Sequence, residues 1–285
     1  MIENLDQLRA RIEELRASPR PPEWLIKADM LADPKPSNRT RVVALSGGKD
    51  STALALALII WEPAEYRYAI TPTGNELPEM INHWRRLADL LGSPLLPVSR
   101  TSLQGLIRAQ KALPNHRARW CTRILKLEQF YGWLGKLGPV ISYVGLRADE
   151  QSRPGMIFPD QDEVIMDFPM RRWLWKLDDV LQFLADVGVT VPDRTDCAWC
   201  FWQTLAEWYL LWRDHPDIYA AGEEIESWVS EERGDVFTFR SPGRDTWPAG
   251  LTELRHAFES GRVPARSFAI RDKKRQIGAC RVCTL

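Results

Sequence analysis

Apolar residues first recur at helical spacing between about Leu5 and Ala17, where Leu5, Leu8, Ile12 and Leu15 share one face. That stripe predicts a surface helix that must lie on another part of the chain. Residues 18–36 hold several prolines and predict a loop or short helix leading into the main fold. The pattern then changes. RVVALSGG, ending at Gly48, reads as a buried strand closing in a glycine turn, and DSTALALALII after it reads as a helix. The alternation continues with a strand at 66–71, an amphipathic helix at 79–91 and a strand at 94–98. Helices at 103–109 and 123–137, strands at 140–145 and 163–167, and a helix at 177–187 follow. The LDDV run gives that last helix an acidic first turn, which suits its dipole. Strands alternating with helices predict an α/β fold with a mostly parallel, doubly wound sheet covered on both faces. Beyond about residue 190 the alternation stops. Helical, Trp-rich sequence there predicts a Cys-containing C-terminal subdomain closing over the sheet's edge. No internal repeat is visible.

The 285 residues allow one large domain, or one domain with a smaller appendage. Thirty-eight basic residues balance thirty-eight acidic ones, so the whole-molecule field favours neither nucleic acid nor membrane. Any such partner needs a local patch. No stretch approaches the roughly 18–20 apolar residues of a membrane span. The charged N-terminus lacks a signal peptide's apolar core, so a cytoplasmic, non-membrane protein is expected. Thirteen tryptophans are expected mostly in the core. Five cysteines, four of them in two CxxC pairs, suggest metal or redox chemistry in a reducing compartment rather than disulfides.

Ser46, Gly47, Gly48, Lys49, Asp50 and Ser51 lie between the first strand and its helix. Two glycines let the backbone turn tightly around an anion, and the helix N-terminus faces the same point. Lys49 adds a positive charge, and Ser46 and Ser51 add hydroxyl donors. Asp50 is unfavourable beside a phosphate unless it holds Mg²⁺ or caps the helix. The motif is not the GxxxxGK[ST] loop. It resembles the SGGKDS signature of the PP-loop family of adenine nucleotide alpha hydrolases, a HUP-like group that includes phosphoadenosine-phosphosulfate reductases. The resemblance implies that the loop binds the β,γ-pyrophosphate of ATP while the α-phosphorus is attacked.

Further blocks follow in the family's order across about residues 40–202. Thr73-Gly74-Asn75-Glu76 resembles a turn near the nucleotide. Arg119-Trp120-Cys121-Thr122 with Leu125-Lys126 resembles the CT-x-x-LK block. Gly145 to Glu150, with Ser152 and Arg153, is similar to G-x-R-x-x-E-S-x-R. Pro169 to Trp173 with Leu177 to Val180 resembles PL-x-x-W…DV. Gly145 permits close backbone approach to adenine or ribose. Arg147 and Arg153 offer forked donors to a phosphate or a sulfate-like group. Lys126 is suited to neutralising charge on the transferring phosphate. Asp149 and Glu150 are metal or ribose partners, or in the case of Asp149 a solvated turn acid. Arg171 and Arg172 are expected to be a solvated basic turn.

The pairs Cys197/Cys200 and Cys280/Cys283 are compatible with one four-thiolate site for zinc or an iron–sulfur cluster. Cys121 lies in the block that, by resemblance, sits near a CxxC sharing a cluster. That implies a [4Fe-4S] cluster on Cys121, Cys197, Cys200 and one of Cys280 and Cys283, with the fifth cysteine free to carry sulfur or attack a substrate. The alternatives are Zn²⁺, and a Cys121 that is only a small buried hydrophobe. The basic stretch Arg108, Lys111, His116, Arg117, Arg119 and Arg123 is expected to reach phosphate in part. RDKKRQ at 271–276 is expected to be a solvated tail. Trp199, Trp202, Trp208 and Trp212 are expected to pack around the metal site rather than stack on bases.

These features divide the chain into an N-terminal helix and linker (1–36), a nucleotide-binding α/β domain (37–190) and a helical metal- or cluster-binding subdomain (191–285). The resemblance implies an ATP pyrophosphatase that adenylates a substrate for sulfur insertion, nearest to that of DNA phosphorothioation systems. Thiolation of tRNA is a second setting. Either needs a sulfur donor such as a cysteine desulfurase. A sulfonucleotide reductase using a C-terminal cysteine is the alternative, but those enzymes have a degraded phosphate loop and a Glu-Cys-Gly motif ending in His. This chain keeps SGGKDS and ends CRVCTL. A metal-stapled, non-enzymatic nucleotide-binding module is the third reading, and it leaves Lys49 and Asp50 without a task.

Overall fold

The computed structural model describes residues 2–34, 36–151 and 163–277. Ser152, Arg153, Cys280 and Cys283 lie outside the described residues. Five strands form the sheet: β1 (Thr40–Ala44), β2 (Tyr66–Ile70), β3 (Leu95–Pro97), β4 (Val140–Tyr143) and β5 (Val164–Asp167). Their order is β3-β2-β1-β4-β5, and every pair is parallel. The chain starts in the centre, steps outward through β2 and β3, then returns to the other side of β1 for β4 and β5. That reversal opens a crevice between the ends of β1 and β4, the place where open α/β sheets bind ligands.

Alternation along the strands assigns the two faces. Val43 and Leu45 point to one side, with Tyr66, Tyr68, Ile70 and Tyr143. Val42 points to the other, with Ala69, Val140 and Val164. The first face carries α1 (Leu5–Arg16), α2 (Glu23–Leu31), α3 (Lys49–Trp61), α4 (Pro78–Leu91) and α8 (Leu177–Asp186). The linker after α1 is thus a short helix. α3 is apolar on nearly every side because it lies between the sheet and α8, with Ala53 to Leu58 all fully buried. The predicted stripe of α1 buries Leu8 and Ile12 in this core. The second face carries α6 (Glu128–Leu134), which contributes Phe130 and Leu134.

The helix expected at 123–137 is not uniform. It opens with a wide π turn at Thr122–Leu127, and only then becomes α6. Between β5 and α8 lies a short helix absent from the sequence reading, α7 (Pro169–Arg172). It overturns the expected solvated basic turn. Arg172 is paired with Asp167 at 2.9 Å and with Glu62, a buried residue at the end of α3, at 3.0 Å. Arg171 donates to the Glu150 carbonyl at 2.8 Å.

A second core combines α5 (Leu103–Gln110) with α9 (Leu205–Asp214), α10 (Pro216–Arg233) and α11 (Leu251–Glu259). Leu103, Ile107, Leu113 and Leu125 from mid-chain pack there with Trp199, Trp208, Phe239 and Leu254. α12 (Ala265–Ile277) runs through RDKKRQ, so the backbone of this stretch is helical. Among the described residues no helix is long and apolar enough to cross a membrane.

Candidate active site

The crevice at the switch point is built from the loops after β1 and β4. Gly47 has φ +81°, a left-handed turn that an L side chain rarely adopts, and Gly48 is the N-cap of α3. The loop is closed by its own serines. Ser46 Oγ and Ser51 Oγ are 3.0 Å apart, the Gly47 amide donates to Ser51 Oγ at 3.1 Å, and Ser51 Oγ donates to the Gly48 carbonyl at 3.2 Å. The Gly48 amide reaches Ser46 Oγ at 3.3 Å. Two amides expected to face an anion therefore bond to side chains of the same loop. The remaining anion-seeking features are the dipole and first-turn N–H groups of α3, and Lys49 beside them.

Asp50 neither caps α3 nor leaves its carboxylate open to a metal. Its Oδ1 receives Arg147 Nη1 at 2.9 Å and its Oδ2 receives Lys49 Nζ at 3.1 Å. Arg147 is buried and also binds Asp149 at 2.9 Å. Burial disfavours its charge, but these carboxylates outweigh that and hold its pKa above the ordinary arginine value. Nη1 and Nε of Arg147 are thus committed to carboxylates, and Asp149 is paired while remaining exposed to solvent. Gly145 makes a different close approach from the one expected. A Cβ there would lie 3.1 Å from the Asp50 carbonyl and 3.2 Å from the Ser51 amide nitrogen. Its lack of a side chain lets the β4 loop lie against the start of α3.

The Thr73–Glu76 turn is also self-contained. Glu76 Oε1 accepts from the Thr73 amide at 2.6 Å and from its hydroxyl at 2.7 Å, while Gly74 takes φ +70°. Asn75, given no role by the sequence reading, is the outward link. Its backbone carbonyl accepts from the Ala198 amide at 2.6 Å, and its side-chain oxygen accepts from the Trp199 amide at 2.9 Å. The second-strand turn therefore holds the CxxC loop. Arg194 holds it from the other side, reaching Asp196 at 2.9 Å and the Cys197 carbonyl at 2.6 Å.

Cys121, Cys197 and Cys200 line one cavity, together with Thr73, Lys126 and Trp202. Lys126, expected at the transferring phosphate, lies on the wall of this thiol cavity. Burial pushes the Cys121 thiol up. Cys200 donates to the Cys197 sulfur, which lowers Cys197 and keeps Cys200 protonated well above the usual thiol range. Among the described residues no three His, Cys, Asp or Glu side chains stand in metal-holding geometry. The donor chemistry of three cysteines in one mainly apolar cavity nevertheless suits a thiophilic metal. Thr195, two residues before Cys197, brings the cavity's loop to the phosphate loop. Its Oγ1 lies 3.6 Å from the point a Cβ on Gly48 would occupy.

Three members of the basic stretch make contacts within the fold. Lys111 pairs with Glu232 at 2.6 Å, Arg108 lies over the Trp228 ring at 4.9 Å, and Arg123 pairs with Glu128. Of Trp199, Trp202, Trp208 and Trp212, the first two line the thiol cavity, and Trp199 also packs in the second core with Trp208 and Trp212. His83 and Trp84 of α4 touch the phosphate loop and were missed. Nothing in their local sequence separates them from an ordinary helix face.

No curated protein matches the sequence. Solved structures that resemble it include the following two. One is phosphoadenylyl-sulfate reductase from Candida auris in a phosphate complex, with 13% identity, a TM-score of 0.41, and coverage of 67% of this chain and 90% of that one. The other is the U34-tRNA thiolase NcsA from Methanococcus maripaludis with its [4Fe-4S] cluster, with 16% identity, a TM-score of 0.46, and coverage of 78% and 80%. The profile of the phosphoadenosine phosphosulfate reductase domain matches residues 40–192, which takes in all five strands, the glycine loop and the Arg147 turn. By that match over more than half its length, the chain belongs to the phosphoadenosine phosphosulfate reductase domain family.

Proposed function

We propose that this protein is an ATP pyrophosphatase that adenylates an acceptor in preparation for sulfur insertion. The observation that carries the reading is the intact glycine loop with Lys49 at the switch point, next to the loop bearing Cys197 and Cys200. Membership of the family supports an enzyme of nucleotide-dependent, sulfur-related chemistry. In this reading Lys49 and the first turn of α3 hold the β,γ-pyrophosphate. An acceptor oxygen attacks the α-phosphorus, the bond to the β-phosphate oxygen breaks, and pyrophosphate leaves with the electron pair. The terminal sulfur of a persulfide then displaces AMP, which leaves the acceptor joined to the donor through a disulfide, and a second thiol cleaves that bond to release the thiolated acceptor. The acceptor is DNA or tRNA, and the donor is a persulfide from a partner such as a cysteine desulfurase. Asp50, engaged by two cations, does not fit a Mg²⁺ ligand, and no step is assigned to Mg²⁺ there.

Cys121, Cys197 and Cys200 are the residues that would hold an iron–sulfur cluster or zinc, with a fourth thiol from Cys280 or Cys283. A cluster would supply a sulfur-binding iron, whereas zinc would supply a staple. The test is ATP–pyrophosphate exchange against DNA, tRNA and small acids. Lys49→Ala is expected to abolish exchange while leaving the circular dichroism spectrum unchanged. Undiminished exchange in that variant rejects the site. Sulfite release from a sulfonucleotide, with no exchange from ATP, replaces the reading with reduction. An anaerobic preparation is expected to be brown with about four irons per chain, and a colourless one-zinc preparation rejects the cluster.

A further inference from the structure

α4 presents three side chains on one turn to the glycine loop: Met80, His83 and Trp84, spaced i, i+3 and i+4. Trp84 Nε1 donates to the Ser46 carbonyl at 3.2 Å. The His83 ring is 2% exposed, and its Nε2 lies 3.3 Å from Thr52 Oγ1 on α3. Burial pushes this histidine down to about 4, so the ring is neutral. Met80 Cε and Trp84 Nε1 lie 2.2 and 2.6 Å from where a Gly47 Cβ would be, so α4 closes that side of the loop.

A trans peptide carries its C=O and N–H on opposite sides of one plane. The Ser46 carbonyl shares a peptide with the Gly47 amide, and the Gly47 carbonyl shares one with the Gly48 amide. Whatever fixes the carbonyls fixes where the amides aim. We propose that His83 and Trp84 are positioning residues for the anion loop. Trp84 holds the Ser46 carbonyl, and with it the peptide that carries the Gly47 amide, against α4, while His83 fixes the first turns of α3 through Thr52, so that the loop keeps a set direction toward a pyrophosphate group. The inference rests on the reading of this loop as a pyrophosphate cradle. On nucleotide entry the serine hydroxyls yield the amides, while Trp84 keeps the Ser46 carbonyl.

The test is calorimetric titration of the full chain with inorganic pyrophosphate and with ATP, alongside melting curves. The wild type is expected to bind both. Trp84→Phe removes the partner of the Ser46 carbonyl and His83→Leu removes the partner of the Thr52 hydroxyl, and each is expected to weaken pyrophosphate binding about tenfold. His83→Gln keeps a neutral donor and acceptor and is expected to restore binding to within about threefold. Hydrogen exchange at the Gly47 and Gly48 amides is expected to quicken in the two weakened variants. If His83→Leu and Trp84→Phe melt earlier but bind pyrophosphate like the wild type, α4 only fills space and the inference is overturned. Should His83→Leu fail to fold, Trp84→Phe and His83→Gln carry the same comparison. If the wild type binds neither probe, the cradle reading itself fails and takes this one with it.

Discussion

Against the sheet, Trp24, Trp61, Trp173 and Trp175 pack ring to ring, with Trp24 and Trp175 meeting edge to face at 6.0 Å. Each indole N–H has an acceptor: Asp186 at 2.8 Å, Asp29 at 2.7 Å, Glu62 at 3.2 Å and the Trp24 carbonyl at 2.9 Å. In the second core Trp199 donates to the Ile218 carbonyl at 2.9 Å, but the equally buried Trp208 N–H and the Gln203 Oε1 have no partner. The sheet half is therefore specified by polar pairing as well as shape, so a misplaced ring there strands a carboxylate. The second core relies more on shape, with a few pins that capture backbone. The chief pin is Glu226, whose two oxygens accept from the Phe239 and Leu251 amides, each at 2.7 Å. That core also forms one wall of the thiol cavity, through Leu103 and Trp199.

The largest effect expected from this contrast is at Glu226. Glu226→Leu orphans two buried amides and should cost about 2–5 kcal/mol at acidic pH, measured by urea denaturation. Burial outweighs the amide bonds and pushes the Glu226 acid up to about 8. The folded chain then keeps a proton that the unfolded chain loses near the ordinary glutamate value. Its contribution is full below about 4.5 and fades as pH rises toward 8. The wild type should weaken across that window, and Glu226→Leu should flatten the slope. An unchanged slope removes Glu226 as the pin.

Trp61→Phe against Trp208→Phe tests the comparison directly. Trp61→Phe deletes ring volume and leaves Asp29 without its indole donor, costing about 2–3 kcal/mol. Trp208→Phe loses volume but also an orphaned donor, and should cost about 1 kcal/mol or less. Equal costs in chemical denaturation would break the distinction between the two cores. Smallest is Lys27→Ala, which releases a partly exposed link from α2 to Asp179 of α8 at 3.0 Å. It should shift stability by no more than about 1 kcal/mol, and less at high salt.

The sheet half was legible because its signals are local. Strand runs, the positive-φ turn at Gly47 and the apolar helix after it announce themselves within a dozen residues. What stayed hidden depends on partners far along the chain. Arg172 looked solvated because its acceptor Glu62 lies 110 positions away. Asn75 gave no hint that it grips Ala198 and Trp199, more than 120 positions on. Arg147 read as a phosphate ligand because its motif names the residue and not the carboxylates that surround it. His83 read as one more position on an amphipathic helix. Periodicity reports which face is buried, but not what that face meets.

The wide turn at Thr122–Leu127 has a bearing on how this region tolerates change in length. The Glu128 amide reaches back five residues to the Arg123 carbonyl, and Ser99 Oγ donates to the Leu125 carbonyl at 2.8 Å. Such a turn holds one residue more than an ordinary helix would at that place. It works as a phase shifter: everything upstream is rotated by roughly 100° relative to an unbroken α-helix. Cys121 thereby keeps its orientation toward the cavity while Phe130 keeps its own toward the sheet. Losing a single residue here would leave both ends well formed and put them out of phase.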